Sequence, residues 1–491
     1  MSRLHTVTES DVDELGQFLG VAFAGDERAD AAARLNTLAE IYRQLDDVPA
    51  DDTRKGEPAA ESFAEPPRAP REDPHNAWRT RFDLARPERE GVLSGLAVAI
   101  KDNTCVRGVE LTCGSRALEG FAPVEHAAVV DRVLDEGGRI MGTTNMDEFA
   151  FGPTSETSAF GPTTNPVDPD HVAGGSSSGS ASAVAAGDVD LALGTDTGGS
   201  VRIPASYCGI VGLKPTVGHV PLHGVVELAY SMDHVGPLAR DVETVARGLT
   251  AIANPHPDGT TPAYASALDA SVDGLTVGVA DRFFETHVDA EVERVVREAI
   301  DDLEALGMSV EPVSIPALEH SRQGWWGVAP LEFAAMVLTN GVGLWRTGPQ
   351  ERSVPSVLAR LRGRSSRALG SNIKEMLALG AHLLYDAGGA HYVRARNYRA
   401  TLRRQFDDAL ADVDVLAAPA TPTTALELDA FERGVTPPVN WNTHPTNLTG
   451  HPSVSLPGGE LDGLPVGLQL IGSWWDEQTV LNAAYAFEQD G

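Results

Sequence analysis

Lysine is almost missing from this chain. Four of its 38 basic residues are lysine (Lys55, Lys101, Lys214 and Lys374), against 70 Asp and Glu, and the net charge is -32 over 491 residues. Such a balance argues against nucleic-acid binding through a basic face. It is the balance expected of a protein from a salt-saturated cytoplasm, where dissolved ions screen the repulsion between carboxylates. Cysteine is scarce as well: Cys105, Cys113 and Cys208 form no CxxC pair. Neither a disulfide framework nor a zinc site is expected, and the three read as small core residues. No apolar run reaches the roughly 20 residues of a membrane span. The N-terminal MSRLHTVTESDVDELG lacks the positive segment and apolar stretch of a secretion signal. These absences predict a cytoplasmic protein without a membrane partner.

Helical periodicity runs through Val12, Leu15, Phe18 and Leu19, then through Leu35, Leu38, Ile41, Tyr42 and Leu45, so residues 1–75 are expected to be a helical appendage. It ends in a linker, residues 46–74, rich in Pro, Glu and Asp. A single large domain is expected over 76–491. Strands are predicted at Leu96 to Ile100, Arg139 to Met141, Leu191 to Gly194, Leu275 to Ala280, Val413 to Ala417, Ser453 to Leu456 and Val466 to Ile471. Helical patterns fall between them, among them Ala128 to Glu136, Gly179 to Ala186, Val242 to Ile252, Ala290 to Leu306, Leu377 to Tyr385 and Ala390 to Leu410. The alternation predicts an α/β fold with one large central sheet covered by helices.

Two Gly/Ser turns interrupt this pattern, GGSSSGS from Gly174 and GTDTGGS from Gly194, and each leads into small apolar residues rather than into a tether. The first is expected to start a helix capped by serines. Neither turn carries the GxxxxGK[ST] pattern of a phosphate cradle. The alternative is a nucleophilic serine on a turn. In DTGGS the amides of Thr197, Gly198, Gly199 and Ser200 can converge as an oxyanion hole, because glycine tolerates the backbone angles of such a nest. A serine hydroxyl is a weak nucleophile and needs a base within hydrogen-bond reach. His171, His219, His223 and His234 stand in no triad context. Lys101, at the end of the apolar strand LAVAI, can act as a base if burial disfavours its charged form. The other reading of Lys101 is a buried cation paired with Asp102 or another carboxylate.

The ordered set of motifs resembles the amidase signature family. It comprises GLAVAIKDN from Gly95, GTTNMDEFA from Gly142, SAFGPTTNP from Ser158, both serine turns, CGIVGLKPT from Cys208, DHVGPLARD from Asp233, VDVLAAPATPT from Val413 and GLPVGLQLIG from Gly463. The resemblance covers roughly residues 76 to 490 and implies the twisted mixed sheet of that family. It implies a Ser-Ser-Lys triad in which Ser200 is the nucleophile, Ser176 the bridging serine that relays protons, and Lys101 the base, with a cis peptide bond from Gly175 to Ser176. It implies no metal and no cofactor. Ser177 corresponds to a serine that supports the triad, and Asp196 and Arg202 are expected to pair and hold the nucleophile turn.

Within the family two activities compete. NMDEFA and SAFGPTTNP resemble the glutamine-hydrolysing component of the tRNA-dependent amidotransferase. GGSSSGS, with Ser178 in place of a glycine, and THPTNLTGHPSVSLP from Thr443 resemble free-standing amidases of aliphatic and aromatic amides. The amidotransferase proteins grip glutamine with an arginine and an aspartate, and the comparable stretches here, NIKEM (372–376) and NWNT (440–443), contain neither. The expectation is therefore a free-standing amidase that acts on a small amide without a nucleic-acid partner, assembled as a homodimer through its extra N-terminal helices. Phe149, Phe151 and Trp326, with Trp325, are the candidate apolar walls of its pocket.

Overall fold

The computed structural model describes residues 6–19, 21–44, 61–285, 287–342, 351–362, 364–430 and 438–490. By its internal contacts the chain divides into two units, Met1–Ala59 and Ala60–Gly491. In the first, helices Glu9–Leu19 and Glu27–Gln44 stand where the periodicity puts them. They are tied by reciprocal 2.8 Å bonds between the Val7 backbone and the Asn36 amide. Residues 46–60 of the expected linker lie outside the described residues.

The second unit is built on one mixed sheet. Its strands are β1 (Ser62–Arg68), β2 (Trp78–Ala85), β3 (Ala97–Lys101), β4 (Arg139–Thr144), β5 (Leu191–Asp196), β6 (Val211–Lys214), β7 (His234–Ala239), β8 (Thr276–Val279), β9 (Ser309–Pro312), β10 (Val415–Pro419), β11 (Ser453–Leu461) and β12 (Leu464–Gly472). They lie in the order β1-β2-β4-β3-β5-β7-β6-β11-β12-β10-β8-β9. All seven expected strands are present. β3, β5 and β10 are continuous apolar runs because both faces of the sheet are covered.

The five unexpected strands have local reasons. β1 falls inside the Pro/Glu stretch read as linker. It is exposed along its length and pairs only with β2, so Pro66 and Pro67 cost it no bond on a free edge. β2 carries three charged residues, Arg79, Arg81 and Asp83, which hide its alternation. β6 and β9 are four residues each, and β7 carries Pro237 opposite Leu193 of β5.

Helix Val242–Ile252 has the expected bounds. Asp241 Oδ1 accepts from the Thr244 amide at 2.7 Å to cap it, while Val245, Leu249 and Ile252 face the core. Helix Ser321–Leu338 is not legible from periodicity, because it is apolar nearly all round and carries Gly324, Gly327 and Pro330. Cys105, Cys113 and Cys208 are buried free thiols. No described helix is long and apolar enough to cross a membrane.

Ile100 is fully buried at the centre of β3, between β4 and β5. Ile100→Ala is expected to destabilise the fold by about 2–5 kcal/mol, read as a shift in the denaturation midpoint in molar KCl.

Candidate active site

β3 and β5 run parallel, with Val98 opposite Leu191 and Ile100 opposite Leu193. Their carboxyl ends therefore emerge side by side, the usual place for a ligand site in a sheet of this kind. Lys101 closes β3, and its Nζ lies 2.8 Å from Ser176 Oγ, 2.8 Å from Thr195 Oγ1 and 3.3 Å from the Thr195 carbonyl. The side chain is wholly buried. Desolvation pushes its pKa down to about 7 against the opposing pull of Asp147, Asp196 and Asp233. A pairing with Asp102 is not formed, since that carboxyl accepts from the Thr112 amide and hydroxyl.

The first serine turn has a cis peptide bond between Gly175 and Ser176. The helix that follows, Ser178–Ala185, is not capped by a serine side chain as expected. Ser177 occupies the cap position, but its Oγ donates to the Thr195 carbonyl at 3.1 Å and accepts from the Thr195 amide at 3.2 Å. Those strand-end groups compete successfully for the hydroxyl and pin the turn onto β5. The approach is possible only because residue 194 is glycine: a Cβ there would come within 2.7 Å of Ser177 Oγ.

The second turn, residues 196–202, is held by a buried ion pair. Arg202 Nε donates to Asp196 Oδ2 at 3.0 Å and Nη2 to Oδ1 at 2.9 Å, and both side chains have no exposed surface. The other guanidinium hydrogens go to Thr446 Oγ1 (2.6 Å), Gln469 Oε1 (2.8 Å) and Asn447 Oδ1 (2.9 Å), so every donor of the arginine is used. Asp196 also accepts from the amides of Gly199 (2.8 Å) and Val201 (3.1 Å). Arg202 holds the Asp196 carboxyl well below the usual range despite its burial. This is the pairing the sequence predicts, and it accounts for both side chains without any substrate contact.

The remaining expected residues divide. Lys101, Ser176, Ser177 and Ser200 come together: the Ser177 amide donates to the Ser200 carbonyl at 3.2 Å, and Ser200 retains 8% exposure where Ser176 has none. Of the four amides expected to form an oxyanion hole, that of Gly199 is spent on Asp196. Its φ of +125° is open to glycine, and a Cβ would lie 2.1 Å from Thr443 Oγ1. Phe149 belongs to the core, where it is 3% exposed and its ring packs on Phe333. Phe151 lies edge-on to both Phe333 and Trp325. Trp326 is 40% exposed and meets Trp325 edge-on.

Several neighbours were not legible in the sequence. Asn103 and Thr195 sit inside GLAVAIKDN and GTDTGGS, yet nothing marks Thr195 as a partner of Lys101 or Asn103 as a partner of Thr195 (Asn103 Nδ2 to Thr195 Oγ1, 3.1 Å). Asp147, in GTTNMDEFA, accepts from Ser155 and Thr157, and burial pushes its carboxyl up to about 6. His234 is no triad base: it is buried, with its Nδ1 3.2 Å from the Asp196 carbonyl, and burial pushes it well below the ordinary histidine range. Among the described residues no group of three or more His, Cys, Asp or Glu is placed to hold a metal.

Comparison with known proteins gives the family and the fold. The profile of the family described as Amidase matches residues 74–481. The A subunit of the glutamyl-tRNA(Gln) amidotransferase of Halobacterium salinarum is 43% identical over 416 residues, 82% of this chain and 96% of that protein. The crystal structure of the corresponding Thermotoga maritima protein superposes with a TM-score of 0.70 at 33% identity, covering 84% of this chain and 86% of that one. The peptide amidase of Stenotrophomonas maltophilia superposes with a TM-score of 0.69 at 31% identity, covering 82% and 84%. These relatives overturn the expected partner set of a small amide alone, no nucleic acid and a homodimer. A protein named as one subunit works in an assembly, and the name puts a tRNA in its reaction. The acidic composition hid this because it reports on solvent and on basic faces, and contacts between subunits need neither. By its motifs, its sheet and these similarities, the chain belongs to the amidase signature family.

Proposed function

We propose that the chain hydrolyses a carboxamide to the acid and ammonia through an acyl-enzyme on Ser200, and that the amide is glutamine, the chain serving as the glutamine-hydrolysing component of a tRNA-dependent amidotransferase. The observation that carries the chemistry is the contact of 2.8 Å between a wholly buried Lys101 Nζ and Ser176 Oγ, in a site where Ser200 keeps 8% exposure. Neutral Lys101 takes the proton of Ser176, which takes that of Ser200 as its oxygen attacks the amide carbon. The oxyanion is met by the amides of Thr197, Gly198 and Ser200, since Gly199 donates to Asp196. One such donor contributes about 3 kcal/mol to the transition state. Ser176 then gives its proton to the leaving nitrogen, and ammonia departs. Lys101 returns its proton to Ser176; water then attacks the ester as its proton passes through Ser176 to Lys101, and a proton passes back through Ser176 to Ser200 Oγ as the acid leaves. Phe151 and Trp326 both pack on Trp325 and are the apolar groups assigned to the substrate side of the site.

The glutamine assignment is supported by relatives of that name at 40–43% identity covering 81–91% of this chain. A second reading, an uncharged amide in place of glutamine, is favoured by one observation. NIKEM and NWNT supply neither the arginine nor the aspartate, and Asn372 Nδ2 is engaged with the Phe151 carbonyl at 3.1 Å.

The deciding experiment is ammonia release in molar KCl from glutamine, propionamide, hexanamide and benzamide, with the chain alone and with its partner subunits, and with Ser200→Ala as control. Glutamine turnover that drives amidation of glutamyl-tRNA(Gln) is the expected result. Turnover of the simple amides with glutamine left untouched would establish the second reading.

The pH profile follows from Lys101, which must be neutral to start the relay. With a pKa of about 7, kcat/KM is expected to fall about tenfold per pH unit well below that value and to level off above it. A profile flat from acid to alkaline pH would remove Lys101 as the base.

A further inference from the structure

Every carbonyl of the turn from Asp196 to Ser200 accepts a hydrogen bond. Asp196 O receives Asn447 Nδ2 at 3.1 Å, Gly199 O the Ile203 amide at 2.7 Å and Ser200 O the Ser177 amide at 3.2 Å. The two in the middle are met by side chains from distant parts of the chain. Trp325 Nε1, on helix Ser321–Leu338, donates to Thr197 O at 3.0 Å. Thr443 Oγ1, at the start of helix His444–Thr449, donates to Gly198 O at 2.8 Å. A trans peptide unit holds its C=O and N–H in one plane, pointing in opposite directions. The indole on Thr197 O therefore aims the Gly198 N–H away from Trp325, and the hydroxyl on Gly198 O aims the Gly199 N–H at Asp196, where it is found at 2.8 Å.

We infer that Trp325 and Thr443 are positioning residues for the oxyanion hole, the indole N–H setting the direction of the Gly198 donor and the threonine hydroxyl committing the Gly199 amide to the ion pair. The packing leaves little other purpose for the indole nitrogen. It is donor-only, it sits in a side chain that is 8% exposed, and the turn reaches it because Gly198 has no side chain: a Cβ there would lie 3.0 Å from Trp325 Nε1. A hole built this way is aligned before substrate arrives, which is the condition under which fixed dipoles lower a barrier. Neither residue lies in the serine or lysine motifs, so the donor geometry is set from outside them. The inference rests on Ser200 as the nucleophile and is independent of which amide is hydrolysed.

The test reads the hole without the natural substrate. An alkyl fluorophosphonate is attacked at phosphorus by Ser200 Oγ. The P–F bond breaks, fluoride leaves, the serine proton passes to Ser176 and Lys101, and the phosphoryl oxygen occupies the oxyanion position. The adduct is followed by intact mass, with Ser200→Ala as the blank.

Trp325→Phe keeps an aromatic ring in the cluster with Phe151 and removes the N–H donor together with part of the indole ring. Measured at a temperature where the variant is fully folded, it is expected to slow labelling by about ten- to a hundredfold and to lower kcat on a turned-over amide with little change in KM. Thr443→Val is expected to slow labelling likewise, and Thr443→Ser, which restores the hydroxyl, to recover most of the loss. Labelling of Trp325→Phe at the wild-type rate, or a loss confined to KM, would overturn the inference. So would a wild-type chain that is not labelled at Ser200. If labelling behaves as expected while glutamine is not hydrolysed with partner subunits present, the substrate assignment fails and the inference stands.

Discussion

The ion pair between Asp196 and Arg202 is the constraint on which the site depends. Taking a carboxylate and a guanidinium out of water costs several kcal/mol per ion, and the attraction between them offsets this only when the geometry is good and the remaining hydrogen-bonding groups are satisfied. Both conditions hold: the pair is bidentate, and the other arginine hydrogens meet Thr446, Asn447 and Gln469. Because those partners lie 244–267 residues further along the chain, the arginine joins the turn of residues 196–202 to β12 and to helix His444–Thr449. The carboxylate, for its part, collects the amides of Gly199 and Val201 and shapes the turn around Ser200. One paired charge thereby ties the backbone of the turn to elements distant in the chain.

The same pair bears on Lys101. A chain with 70 acidic residues would ordinarily hold a lysine in its charged form, and Asp147, Asp196 and Asp233 all pull in that direction. Their pull is blunted one by one. Arg202 neutralises Asp196; burial raises Asp147 to about 6; and Asp233, buried beside Glu227, is raised to about 8. Desolvation then outweighs what remains, and the lysine becomes a group that can carry a proton or not near neutrality. Lys214, the other lysine of the motif region, is also wholly buried, but its Nζ is occupied by the carbonyls of Pro215 and His451. Two lysines kept in a chain that has nearly none thus have different uses, one beside a hydroxyl and one tying backbone together.

Local pattern and global packing disagree in a few places, and these are instructive. Pro66 and Pro67 made β1 look like linker, yet a sheet edge tolerates them because one side of the strand needs no partner. Serines after Gly175 look like helix caps, yet Ser177 turns to β5. Trp325 looks like a pocket wall, and its indole nitrogen instead holds a backbone carbonyl of the active turn. In each case the residue type permits both uses, and the choice falls to a neighbour that is distant in the chain.

The order and spacing of Lys101, Ser176 and Ser200, the apolar runs of β3, β5 and β10, and the predicted pairing of Asp196 with Arg202 are properties of the sequence alone. They follow from short-range chemistry: strands that must be buried, glycines that free a turn, an acid and a base six residues apart. That the Gly199 amide is spent on Asp196, and that Trp325 and Thr443 hold the carbonyls of Thr197 and Gly198, only the tertiary structure decided. Trp325 and Thr443 come from helices with no periodic signature, and a hydrogen bond across more than a hundred residues has no local trace in the chain.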